Sequence, residues 1–85
     1  MREFTYTLTH PNGLHGRPAM ELADFTQTLD SAVTIRKGNR AAPADRLMAL
    51  MLLGVAQGDT VIVTVEGGEE ANNLEALEGF FQSNL

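Results

Sequence analysis

No cysteine occurs among the 85 residues, so a chain this short has neither a disulfide to staple it nor a thiolate to hold a structural zinc. Below the usual domain size, stability then has to come from one hydrophobic core that recruits nearly every apolar position. The 44% of hydrophobic residues can build such a core, and with 20% charged residues the chain is too apolar to remain disordered. A single domain over residues 1–85 is expected. Neither a metal nor a cofactor is expected, because only His10 and His15 are available as imidazoles and the acids near them, Glu3 and Asp24, lack ligand spacing.

The net charge is −5, with six Lys and Arg in total, too few for the basic stripe that neutralises a nucleic-acid backbone. Glu69, Glu70, Glu75 and Glu78 fall in a C-terminal segment without a base and read as the solvated face of a last helix. The opening MREFTYTLTHPN lacks an apolar signal core, and no apolar run approaches the ~20 residues that span a bilayer. The expectation is a cytoplasmic protein without membrane insertion.

Phe4, Tyr6 and Leu8 alternate with polar residues, the period-two pattern of a half-buried strand, and Pro11-Asn12-Gly13 breaks it. A helix should start at Pro18, with Arg17 pushed out of the helical region by the proline that follows. Ala19, Leu22, Ala23, Thr26 and Leu29 form its inner stripe, and it should end near Asp30-Ser31. Val33 and Ile35 predict a second strand, turned by Gly38-Asn39 into a short edge strand over 40–42 that Pro43 closes. Asp45 is placed to cap a helix from Arg46 to about Leu53, stopped by Gly54. Val61, Val63 and Val65 predict the fourth strand, and Leu74, Leu77 and Phe81 the last helix. The resulting order, βαββαβα, predicts an α+β fold with helices on one face of a mainly antiparallel sheet.

The segment Pro11-Asn12-Gly13-Leu14-His15-Gly16-Arg17-Pro18-Ala19 sets an imidazole just ahead of a helix start. The first N–H groups of a helix have no internal partner and favour an anion, so the backbone at Gly16 and Arg17 can bind a phosphoryl group carried by His15. Arg17 adds a planar fork of donors that matches phosphoryl oxygens. Neutral imidazole keeps a lone pair and needs no base to act as a nucleophile. On spacing alone, such a histidine is more often a capping or surface residue. His10, at a strand end before Pro11, reads as a surface residue without a partner.

PNGLHGRPA resembles the active-site signature of the histidine-containing phosphocarrier (HPr) family of the bacterial phosphoenolpyruvate-dependent sugar phosphotransferase system. Leu47-Met48-Ala49-Leu50-Met51-Leu52-Leu53-Gly54 and Gly58-Asp59-Thr60-Val61 are similar to that family in type and spacing, so the likeness covers nearly the whole chain. It implies an open-faced β-sandwich, three helices over a four-stranded sheet. It further implies that His15 accepts a phosphoryl group on Nδ1 from enzyme I and passes it to an enzyme II component A, with Arg17 steadying the phosphoryl oxygens. Such a protein is a phosphorylated intermediate, not an independent turnover enzyme. A specialised paralogue and a regulatory binding module without a relay are the competing readings.

Leu47 to Leu53 are seven consecutive apolar residues, and at about 100° per residue they surround a helix completely. One layer of helices cannot bury both sides. Ala49, Leu50 and Leu53 make one arc, and Leu47, Met48, Met51 and Leu52 the other. The resemblance assigns the second arc, with Met20, to the surface on which enzyme I and component A dock, and methionine suits a surface that fits several partners. A monomer is expected, the contrary reading being a helix buried in an oligomer. Many relatives carry a kinase-targeted serine at the start of this helix. Here Arg46 stands there, and no Ser, Thr or Tyr occurs from Gly38 to Asp59. Asp24, Gln27 and Asp45 also replace residues that are often lysine, and Gly16 is a further departure. These differences point to a paralogue serving a dihydroxyacetone-kinase or nitrogen-related phosphorelay.

Overall fold

The alternation at Phe4 and Tyr6 produces strand β1, Arg2–Thr7, in a computed structural model that describes residues 1–85. It is followed by α1, Arg17–Thr26; β2, Ala32–Lys37; β3, Arg40–Pro43; α2, Leu47–Leu52; β4, Thr60–Glu66; and α3, Glu70–Asn84. The four strands form one antiparallel sheet in the order β1-β4-β2-β3, with Pro43 on an edge strand as its missing donor requires. The architecture is the expected α+β open-faced β-sandwich with three helices.

Register decides which face is buried. Phe4 pairs with Val63, Tyr6 with Val61 and Ile35 with Val63, which turns all of them to the helices. Val61, Val63, Val65 and Ile35 are fully buried there, joined by Leu22 of α1, Leu50 of α2, and Leu77 and Phe81 of α3. Each such side chain contributes roughly 1.5–3 kcal/mol. The Phe81 ring meets Phe4 and Tyr6 edge-on, with centroids 5.3 Å away in both pairs. Thr5, Thr34, Ile62 and Thr64 lie on the opposite face. No helix is long and apolar enough to cross a membrane.

Helix α1 differs from the sequence expectation at both ends. Arg17 is its first residue and Pro18 its second, since the first helical hydrogen bond runs from Met20 N–H to the Gly16 carbonyl (3.0 Å) and an N–H at position 18 has no helical acceptor to lose. The helix stops at Thr26, short of Asp30. The hydroxyls of Thr26 and Thr28 donate to the carbonyls of Ala23 (3.1 Å) and Phe25 (2.6 Å), and the Thr28 and Leu29 N–H groups turn back three residues, tightening the chain out of the α-helix.

Asp45 does not cap α2. Arg46 holds the cap position with no side-chain bond, and its carbonyl accepts the first helical bond from Leu50. The Asp45 carbonyl instead accepts Gln27 Nε2 (3.0 Å), tying the end of α1 to the entry of α2. The six-residue helix is secured at its other end. Lys37 Nζ donates to the Gly54 carbonyl (2.7 Å) and Arg40 Nη2 to the Leu52 carbonyl (2.9 Å), placing two cations where the helix dipole is negative. Gly54, at φ 75°, provides the left-handed residue that ends it.

Candidate functional site

Leu8 and Leu14 are both buried, so the segment between them is stretched over the core and held at its two ends. On one side the Leu14 N–H donates to the Val55 carbonyl (3.0 Å). A Cβ on Gly13, at φ 57°, would run into the backbone of Val55 and Ala56, so only glycine lets these strands of chain approach. On the other side the N–H groups of Thr9 and His10 donate to the Leu85 carbonyl at 2.7 and 2.8 Å. Two turns follow: Gly13 N–H bonds the His10 carbonyl (2.9 Å) and His15 N–H the Asn12 carbonyl (3.2 Å).

His15 is thereby carried on a fixed backbone with its own side chain exposed, directly before α1. Gly16, at φ 64° and ψ −129°, makes the bend from loop to helix, a geometry that an ordinary L residue adopts only under strain. The N–H groups of Gly16, Arg17 and Ala19 have no partner in the protein, no side chain caps this end, and no acid sits in the first turn. Arg17 is exposed and engaged in no ion pair. The arrangement offers an accessible nucleophile, free backbone donors and an unpaired guanidinium, which suits a dianionic group attached to His15.

The two arcs of α2 separate clearly at Leu50 and Leu53 against Met48 and Leu52, while Leu47, Ala49 and Met51 all pack against the edge of the core. Leu50 and the adjoining Leu53 are buried and Ala49 half-buried, whereas Met48 and Leu52 are 66% and 69% exposed, with Leu47 and Met51 half-buried between. Met20, on the helix that packs against α2, is 46% exposed. Three of the four strongly exposed large apolar residues thus fall on this helix pair. Arg46, Asp24 and Asp45 are exposed and form no ion pairs. No group of His, Asp and Glu has the spacing of a metal site.

Two features were not anticipated from sequence. His10 is half-buried, and its Nδ1 accepts the Asn12 N–H at 3.0 Å, so it is a partner within the loop, not a free surface residue. Away from the loop, Asp30 accepts from Asn73 Nδ2 (2.7 Å) and from the Glu69 N–H (3.2 Å), joining the α1–β2 connection to the start of α3. These two donors, Asn73 first, hold the Asp30 carboxyl below the usual aspartate range.

The PTS-HPr family, described as the PTS HPr component phosphorylation site, matches residues 2–83. A multiphosphoryl transfer protein of Xanthomonas campestris pv. campestris is 32% identical over 94% of this chain, which spans only 10% of that protein. The phosphocarrier protein NPr of Proteus mirabilis is 35% identical over 86% of this chain and 82% of its own length. Among solved structures, an HPr from Thermoanaerobacter tengcongensis superposes with a TM-score of 0.93 at 32% identity, covering 99% of this chain and 94% of that one. In sequence and in fold, the chain belongs to the HPr family of phosphotransferase-system phosphocarriers.

Proposed function

We propose that His15 accepts a phosphoryl group from phosphorylated enzyme I and passes it to an enzyme II component A, residues 1–85 working as one monomeric cytoplasmic domain. The observation that carries this reading is an exposed imidazole set before a helix whose first N–H groups, with the Arg17 guanidinium, are all unpaired. The Nδ1 lone pair attacks phosphorus as the bond to the donor breaks, and the same exchange in reverse hands the group to the acceptor. Little covalent assistance is needed in such a transfer. What the site supplies is position and charge: donors from Gly16 and Arg17 meet the three phosphoryl oxygens as charge spreads over them. Partners dock on Met20, Leu47, Met48, Met51 and Leu52, beside the helix end that holds the phosphoryl group. Arg46 leaves the second helix without a hydroxyl for a regulatory kinase.

Incubation with phosphoenolpyruvate and a matched enzyme I, read by intact mass, tests the assignment. The wild type should gain one phosphoryl group and His15→Ala none, since this exposed loop residue leaves the core unchanged. A gain by the variant would overturn it. A specialised relay is favoured as the second reading by Asp24 and Asp45, exposed acids where relatives often carry lysine. Comparing enzyme I proteins from sugar and non-sugar systems as donors separates the two.

A further inference from the structure

We propose that His10 is a positioning residue for the loop that presents His15, and that its neutral ring is the form that does so. The proposal rests on His15 as the acceptor, but the bond on which it turns is measurable without any transfer. His10 is engaged at three points: its N–H on the Leu85 carbonyl (2.8 Å), its carbonyl under the Gly13 N–H (2.9 Å) and its Nδ1 under the Asn12 N–H (3.0 Å). Asn12 in turn fixes the backbone of His15, whose N–H donates to the Asn12 carbonyl (3.2 Å). The imidazole of position 10 is therefore one residue removed from the peptide that orients the imidazole of position 15.

A side chain that accepts the N–H two residues ahead forms the turn that Asn and Asp usually make. Histidine in that role differs in one respect. The amide oxygen of asparagine accepts at every pH, whereas Nδ1 accepts only while it is unprotonated, which puts the neutral ring's proton on Nε2. In the imidazolium both nitrogens are donors, so Nδ1–H would face the Asn12 N–H and the bond is lost. Residues 82–85 carry no ionisable side chain, and the charged group facing His10 is the main-chain carboxylate of Leu85, one oxygen of which accepts the His10 N–H. It can offset the imidazolium charge but cannot replace Nδ1 as the acceptor for Asn12. The α2–β4 loop reaches this segment through Gln57, whose Nε2 donates to the Thr9 carbonyl (3.1 Å), and through the Asp59 carbonyl. The Asp59 carboxylate is occupied by Lys37 Nζ and the Ala56 N–H, each at 2.9 Å, and no ion pair reaches His10.

Two variants of the full chain separate this role from mere packing: His10→Ala removes the acceptor, and His10→Asn restores one that does not titrate. The rate of phosphoryl uptake from phosphorylated enzyme I should fall on the order of three- to tenfold in His10→Ala, the worth of one hydrogen bond, and return to within about twofold of wild type in His10→Asn. On acidification the wild-type rate should decline relative to His10→Asn, whose amide oxygen accepts at every pH. In a His15→Ala background His10 is the sole imidazole, and the Asn12 amide proton signal in NMR should titrate with it. That titration should vanish when His10→Asn is added. An Asn12 signal insensitive to pH overturns the proposal, as does wild-type uptake by His10→Ala or failure of His10→Asn to rescue. Absence of phosphorylation on His15 in the wild type would instead refute the acceptor assignment, while the NMR titration still decides the bond.

Discussion

Gly13 and Gly16 flank the exposed histidine with similar positive φ, 57° and 64°, yet the structure predicts very different costs for adding a methyl group. At Gly16 a Cβ would meet nothing within 4 Å, so Gly16→Ala bears only the conformational penalty of an L residue at φ 64°, ψ −129°, about 1–3 kcal/mol. At Gly13 the same kind of penalty is joined by collision with the backbone of Val55 and Ala56, which cannot rotate aside as a side chain can. Overpacking of that sort adds about 1–3 kcal/mol, so Gly13→Ala should lose about 2–6 kcal/mol in all. For a chain of this length each kcal/mol lowers the melting temperature by roughly 4–8 °C. Urea titration and thermal melting of both variants give the ranking wild type, then Gly16→Ala, then Gly13→Ala. The reasoning is refuted if Gly16→Ala matches wild type to within about 0.5 kcal/mol, or if Gly13→Ala is no worse than Gly16→Ala.

Met48→Glu, at a side chain 66% exposed, should change stability by less than about 0.5 kcal/mol and weaken enzyme I binding on the order of 30-fold, measured by melting and titration calorimetry. Lost stability with unchanged affinity would place docking elsewhere. The Asp30 carboxyl titrates lower folded than unfolded, so its contribution is present above the ordinary aspartate range and disappears as pH falls through the lowered value. Asp30→Ala should therefore be less stable near neutral pH and lose less on acidification from about pH 5 to about pH 2, as melting temperature against pH will show; parallel acid limbs for the two proteins would contradict it.

What could be read in the sequence is what short-range pattern encodes. The alternation of Phe4 and Tyr6 and of Val61, Val63 and Val65 placed two strands and their inner faces, because a period of two leaves one choice of buried side. The run from Leu47 to Leu53 announced its own surplus, since no helix in a chain of 85 residues can bury its whole circumference. His15, Gly16 and Arg17 stood out as a candidate site because they are adjacent, precede a helix start and lie in a segment that resembles the HPr signature. The long-range contacts of the fold were not legible. Asp30 and Asn73 are 43 positions apart, and Lys37 and Arg40 reach the carbonyls at the end of α2 across 17 and 12 positions. No local pattern carries such pairings. The end of α1 was misplaced because Leu29 continues the apolar spacing, whereas the hydroxyls of Thr26 and Thr28 compete for the carbonyls that the next turn would use. Asp45 has the right chemistry for a cap, but its side chain is left in solvent and Arg46 takes the position. His10 had a signal of a kind: an acceptor-bearing ring two residues before Asn12-Gly13. The role is familiar for Asn and Asp, and it is the ring that disguised it.

The division of labour in the fold follows from how little chain there is. Strand β4 and helix α3 supply Val61, Val63, Val65, Leu77 and Phe81, and β2 adds Ile35, so the middle of the sheet and the last helix form the centre of the core. Helices α1 and α2 give the core one face each and leave Met20, Met48 and Leu52 in water, an arrangement that costs hydrophobic stabilisation unless a second surface covers it. The same pair carries the unpaired N–H groups at the start of α1. No pocket forms around His15. On the proposed assignment, a phosphoryl group there stays reachable by a second protein, and its oxygens remain hydrated until that protein arrives. Docking on the exposed arc then removes water from the apolar residues and from the helix end together, and the donors of Gly16 and Arg17 gain strength as the local dielectric falls. An open site thus becomes a closed one only in the complex, which is where a carrier requires its reactivity to lie.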